Sequence, residues 1–212
     1  MRRTRVKICG LTSAADAAGA VRAGADAVGV LLAESPRQVS VSEAEEILAA
    51  VPPFVARVGV FVDAPADYVE AAVRRLGLHA VQFHGDESPE QCAAAPAPVI
   101  KVLKVGTGFD SSVVEPYRGS VAAVLLDTYE LAKSGGTGKT FCWQGITSLP
   151  GWAPFVLAGG LTPGNVGEAI ATLCPYAVDV SSGVEERPRA KDRLLMQAFV
   201  AAVRAADAEV RR

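Results

Sequence analysis

The stretch Arg5-Val6-Lys7-Ile8-Cys9-Gly10-Leu11-Thr12 decides how the rest of the chain is read. Val6 and Ile8 are β-branched and Gly10 interrupts the run, so the spacing predicts a short buried strand that ends in a turn. Side chains alternate along a strand, which puts Lys7 and Cys9 together on the face opposite Val6 and Ile8. A thiol at the last strand position is where a parallel β/α protein keeps its chemistry. Taken alone, Cys9 reads first as a small buried hydrophobe, a reading the rest of the chain reverses.

Outward from that strand, apolar strand signals alternate with amphipathic helix signals to the end of the chain. Ala14, Ala17, Ala18 and Val21 fall at helical spacing before Gly24, and Asp26 to Leu32 is a second apolar run. Ser40 with Glu43 is a capping box opening the next helix. Val55 to Val62 is a third strand, and Pro65 starts a helix. His79 to Phe83 is a fourth, followed by Ser88-Pro89-Glu90-Gln91, a cap with a first-turn Pro. Val99 to Val105 and Val121 to Leu126 are the fifth and sixth strands, separated by a weakly patterned helix near Ser111 to Tyr117. The sixth runs into Asp127 and then a Gly-rich loop, Ser134 to Thr140. Phe155 to Ala158 and Ala177 to Val180 are the seventh and eighth, each with a helix after it. Eight such units predict one closed (β/α)8 TIM barrel, a single α/β domain over residues 1–212, with an open doubly wound sheet as the alternative.

The bulk composition narrows the class. The chain has 212 residues, half of them hydrophobic, and a formal net charge of −2. That supports a sizeable core and argues against nucleic acid or an anionic membrane as partner. Cys9, Cys92, Cys142 and Cys174 form no close pair, so they read as reduced thiols of a cytoplasmic protein rather than a disulfide or zinc framework. No signal peptide or membrane span is evident. Two motifs fail on inspection. Gly138-Lys139-Thr140 looks like the end of a P-loop, but Lys133 stands where its first Gly belongs. Gly106-Thr107-Gly108 begins like a dinucleotide fingerprint, but Ser111 breaks it.

In a (β/α)8 barrel the C-terminal strand ends face the active site. There the chain places Cys9, Arg37, His84 and Asp127, with glycine clusters after strands six, seven and eight. A thiol, a carboxylate and a guanidinium around one pocket suit proton transfer on an anionic substrate. Gly159-Gly160 and Ser182-Gly183 suit a phosphate, because glycine lets backbone N–H groups approach an anion closely. Gly136 would close the same site from the loop after strand six. His84 reads equally as a structural imidazole, and Lys7 as an aid to the Cys9 thiolate, a phosphate ligand or a structural group.

Seven segments in order carry a resemblance: Lys7-Ile8-Cys9-Gly10, Ser35-Pro36-Arg37, Gln82-Phe83-His84-Gly85, Leu126-Asp127-Thr128, Gly135 to Phe141, Ala158-Gly159-Gly160-Leu161 and Asp179 to Glu185. Over essentially its whole length the chain resembles the phosphoribosylanthranilate isomerase family of tryptophan biosynthesis. The resemblance implies an Amadori rearrangement of N-(5-phosphoribosyl)anthranilate without metal or organic cofactor. It implies Asp127 as general acid, Cys9 as general base and Arg37 on the anthranilate carboxylate. Lys7, His84, Gly136, Gly159, Gly160, Ser182 and Gly183 complete the expected substrate contacts, and a monomer is the expected state. The sequence departs from the family pattern at Cys142, where Asp is common, and at Arg189, where Gly is usual. The second departure is expected to alter how the last helix starts. Competing readings are a pentose-phosphate epimerase, an indole-glycerol-phosphate synthase or a non-catalytic phosphosugar-binding barrel. The epimerase would want a metal site rich in His and Asp; the synthase, more Lys and Glu at strand ends.

Overall fold

A computed structural model describes residues 3–105, 109–127 and 151–210. Eight parallel strands close into a barrel in sequence order: β1 Arg5–Ile8, β2 Ala27–Leu31, β3 Ala56–Phe61, β4 Ala80–Phe83, β5 Val99–Lys104, β6 Ala123–Asp127, β7 Phe155–Ala158 and β8 Ala177–Val180. Closure is made by β1 against β8, with Val6 opposite Val178, Lys7 opposite Asp179 and Ile8 opposite Val180. The expected barrel is therefore the observed one, and the strand limits differ from the sequence reading by a residue or two.

The period-two pattern explains the layers. Val6, Ile8, Val28, Val30, Val81, Phe83, Val178 and Val180 point outward and share one core with helix residues such as Ala17, Ala20, Phe199 and Val203. Each fully buried side chain of that size is worth about 1.5–3 kcal/mol relative to exposure, so this outer layer holds the barrel together. Alternate positions turn inward: Val102, Ala123, Leu125, Val156, Ala158 and Ala177 fill one side of the interior.

The helices begin where their caps predict. Ser13 accepts from the Asp16 N–H at the start of α1 (Ala14–Ala23). Full capping boxes open α2 (Val41–Ala49) at Ser40 and Glu43, and α4 (Pro89–Ala93) at Ser88 and Gln91. Between them α3 spans Ala66–Leu76 and follows Pro65. α5 spans Val166–Leu173, and α6, Arg193–Val210, packs against α1 and α5. The weakly patterned segment Ser111–Tyr117 is a 3-10 turn rather than an α-helix; Pro116 lies inside it and has no N–H for an α-helical ladder. A short hairpin, β9 Glu185–Arg187 with β10 Ala190–Lys191, lies between β8 and α6. Its strands are too short and polar to show a period in the sequence.

The turns after β7 and β8 are pressed together. A Cβ added at Gly183 would lie 1.8 Å from the Leu161 carbonyl oxygen, so only glycine fits without moving backbone. Gly183→Ala should lower the melting temperature by roughly 2–12 °C, the consequence of about 1–3 kcal/mol of overpacking in a chain of this length. Gly167→Ala in α5, where nothing lies within 4 Å of the added Cβ, should leave it unchanged or slightly raised. Thermal unfolding of the two variants decides whether the contact between these turns is as tight as described.

Candidate active site

At the C-terminal end of the barrel lies a cavity of about 350 Å³. Cys9, Arg37, His84, Asp127, Gly159, Gly160, Ser182 and Gly183 all line it. Residues that β1, β2, β4, β6, β7 and β8 deliver from across the sequence thus meet in one place, as the parallel topology requires. Lys7 lies one inward position below Cys9, within the barrel. Gly136, the remainder of the Ser134 to Thr140 loop and Cys142 lie outside the described residues.

The floor is a buried polar cluster. The Lys7 ammonium donates to Asp179 Oδ2 and to Gln82 Oε1, both at 2.9 Å, and it is also within hydrogen-bond reach of Cys9. Only 4% of Lys7 is exposed. Gly29 on β2 makes the room: a Cβ there would sit 2.7 Å from the Cys9 sulfur and 3.3 Å from the Lys7 nitrogen. Burial alone would lower the Lys7 pKa, but Asp179 and Cys9 outweigh it, so the ammonium is held protonated above its usual range. Burial pushes the Asp179 carboxyl upward against the pull of Lys7. The same balance applies to the thiol. Burial raises the Cys9 pKa more than the Lys7 charge lowers it, so Lys7 limits the cost of the thiolate without making it the resting form. Asp179 Oδ1 is buried and has no hydrogen-bond partner among the described residues.

Asp127 stands at the end of β6, half-buried on the far side of the cavity, with His84 Nε2 3.4 Å from its Oδ2. The His84 loop is anchored from below and behind. Lys101 on β5 donates to the Gly85 carbonyl at 2.6 Å and to Glu87 at 2.7 Å. Glu87 in turn accepts from the backbone N–H groups of Asp63 and Gly85. This second buried ion pair, only 2% and 4% exposed, fixes the loop that carries His84. It was not anticipated, because Lys101 and Glu87 look like ordinary charges in the sequence.

Arg37, between β2 and α2, is gripped by Glu185. Its Nε and Nη2 each donate at 2.6 Å to one carboxylate oxygen, the forked geometry suited to guanidinium. Lys191 donates to the same carboxylate at 2.9 Å and to the Ser181 carbonyl at 3.0 Å. Although burial works the other way, bonds from Arg37 and Lys191 hold Glu185 below the usual carboxylate range. Around the remaining wall, Gly159 and Gly160 adopt φ of 90° and 66°, the left-handed region that glycine enters at little cost.

Sequence reasoning missed Gln82, Asp179, Glu185 and Lys191 as site residues. For Asp179 a signal existed: an acid between Val178 and Val180 inverts the polarity expected of an inward barrel position.

Residues 6–202 match the family described as N-(5'-phosphoribosyl)anthranilate (PRA) isomerase. The chain belongs to the phosphoribosylanthranilate isomerase family. A relative of that name from Pseudomonas fluorescens SBW25 is 47% identical over 206 residues, covering 96% of this chain and 97% of the relative. Another, from Geobacter sulfurreducens, is 49% identical over 198 residues, covering 92% and 96%. Among solved structures, phosphoribosyl anthranilate isomerase from Thermotoga maritima superposes with a TM-score of 0.87 at 40% identity, covering 95% of this chain and 99% of that one. A family structure in complex with reduced 1-(o-carboxyphenylamino)-1-deoxyribulose 5-phosphate gives a TM-score of 0.84 at 37% identity, with the same coverage.

The floor of this isomerase-family barrel makes a stability prediction. Lys7→Met leaves Asp179 buried without its cation, and breaking such a pair costs about 3–5 kcal/mol. The double variant Lys7→Met/Asp179→Leu should regain most of that loss in chemical denaturation. Equal stability of Lys7→Met and the unaltered protein would show that the pair is not closed as described.

Proposed function

We infer that this chain catalyses the Amadori rearrangement of N-(5'-phosphoribosyl)anthranilate to 1-(2-carboxyphenylamino)-1-deoxyribulose 5-phosphate, a step of tryptophan biosynthesis. The observation that carries the reading is the placement of Cys9 and Asp127 at the ends of β1 and β6, lining one cavity together with Arg37 and the glycine turns. A barrel that merely bound a phosphosugar would need no acid and base on opposite walls.

In the proposed mechanism Asp127 gives its proton to the ribose ring oxygen. The C1–O bond breaks while the anthranilate nitrogen lone pair forms C=N, giving the open Schiff base. Cys9, as thiolate, then takes the C2 proton; the C–H electrons form C1=C2 and neutralise the iminium nitrogen. Proton return to C1, with loss of the C2 hydroxyl proton, completes the ketone. His84 orients Asp127, and Lys7, buried beside the thiol, offsets the negative charge of the thiolate. Arg37 takes the anthranilate carboxylate, and Gly159, Gly160, Ser182 and Gly183 take the phosphate through backbone N–H groups. Gly136 is proposed to cover the phosphate from the loop after β6. The unpartnered oxygen of Asp179 suits a sugar hydroxyl.

We propose a single barrel domain that acts as a monomer in the cytoplasm, its cavity gathering Cys9, Arg37 and Asp127 from strand ends of one barrel. No helix among the described residues is long and apolar enough to cross a membrane.

Turnover of phosphoribosylanthranilate, followed by loss of its fluorescence, tests this reading. Cys9→Ala and Asp127→Asn should each reduce kcat by about 10²–10⁴-fold, the usual worth of a general base or acid, while leaving circular dichroism unchanged. Near-normal kcat in Cys9→Ala would exclude the thiol as base.

The raised Cys9 pKa gives the pH dependence. Only the thiolate accepts the C2 proton, so the basic form grows as pH rises. The rate of the C2 step should climb through neutrality and reach half its limit above the ordinary thiol range, because burial raises the Cys9 pKa. A rate already level at pH 6 would contradict this assignment.

A further inference from the structure

The β9–β10 hairpin follows β8 and grips the Arg37 loop at three consecutive residues, Pro36, Arg37 and Gln38. Glu185, on β9, takes the Arg37 guanidinium in the fork described above. Arg189, in the hairpin turn, donates from one nitrogen to the carbonyls of Pro36 and Gln38, each at 3.0 Å. Those are the residues immediately before and after Arg37. The turn is itself tied down, because Thr12 donates to the Arg189 carbonyl at 2.6 Å. Lys191, on β10, is buried against Glu185 and keeps that carboxylate in place. The three side chains Arg37, Glu185 and Lys191 carry one net positive charge beside the cavity, so the carboxylate that fixes Arg37 does not cancel the charge of the corner.

We propose that this hairpin is a specificity clamp: Glu185, Arg189 and Lys191 are positioning residues that preset Arg37 for an aromatic carboxylate on the substrate. The proposal rests on the reading of Arg37 as the carboxylate ligand. A guanidinium held in advance loses little side-chain freedom on binding, so its fixed orientation adds geometric discrimination to that of charge. Arg189 has a conformational cost that points to the same role. Its φ is 73°, in a region that glycine occupies more easily, so the turn keeps a strained arginine whose side chain serves only the Arg37 loop among the bonds described.

That strain makes a clean test possible. Arg189→Gly removes both backbone bonds while easing the turn, so it should fold at least as well as the unaltered protein. Glu185→Gln keeps the shape but weakens the fork. Two ligands are compared by calorimetry: reduced 1-(o-carboxyphenylamino)-1-deoxyribulose 5-phosphate and its counterpart without the carboxylate. The unaltered protein should prefer the carboxylated ligand. Arg189→Gly should weaken that ligand by about three- to tenfold, the worth of one hydrogen bond, and Glu185→Gln by about tenfold or more. The ligand without the carboxylate should bind both variants as it binds the unaltered protein. Equal weakening of the two ligands, or no weakening of either, with the preference intact in the unaltered protein, would overturn the clamp and leave Arg37 in its role. Equal binding of both ligands by the unaltered protein would remove Arg37 from the carboxylate, and the clamp with it.

Discussion

The closure of β1 against β8 sets Lys7 opposite Asp179, and the ion pair between them is the constraint from which the site follows. Two full charges removed from water carry a desolvation penalty that their mutual attraction only partly offsets. A hydrophobic pair would serve the barrel equally well on stability grounds. What the ion pair adds is a fixed ammonium directly under Cys9, in surroundings where charge is poorly screened. The register that closes the barrel is thus the register that gives the thiol its electrostatic partner.

The same principle recurs around the rim. Three of the groups at the cavity are held by buried charges: Cys9 by Lys7, the His84 loop by the Lys101–Glu87 pair, and Arg37 by Glu185 with Lys191 behind it. The apolar work of the fold is done elsewhere, between the outward faces of the strands and the helices. That separation lets the barrel mouth carry several charges without weakening the outer core.

Much of this was legible in the chain. The eight strands follow from apolar runs, and α1, α2 and α4 start at their caps, because both signals are local and survive in the fold. Cys9, Arg37, His84, Asp127 and the two glycine turns could be placed because a parallel barrel brings every C-terminal strand end to one mouth. The supporting charges were not legible. Glu87 with Lys101, and Glu185 with Lys191, become partners only once strands and loops are placed in space. Arg189 was read as affecting the start of the last helix; it lies instead in a hairpin turn whose strands are too short to announce themselves. The Cys9 thiol was expected to gain from Lys7, and it does, but burial outweighs that gain.

The most direct test is the structure of this chain with reduced 1-(o-carboxyphenylamino)-1-deoxyribulose 5-phosphate bound. The account predicts the phosphate against the backbone of Gly159, Gly160, Ser182 and Gly183, and the aromatic carboxylate on Arg37. Cys9 and Asp127 should then approach the sugar from opposite sides, with the sulfur within proton-transfer reach of C2. A ligand bound with its ends reversed, or with both Cys9 and Asp127 on the same side of the sugar, would contradict it.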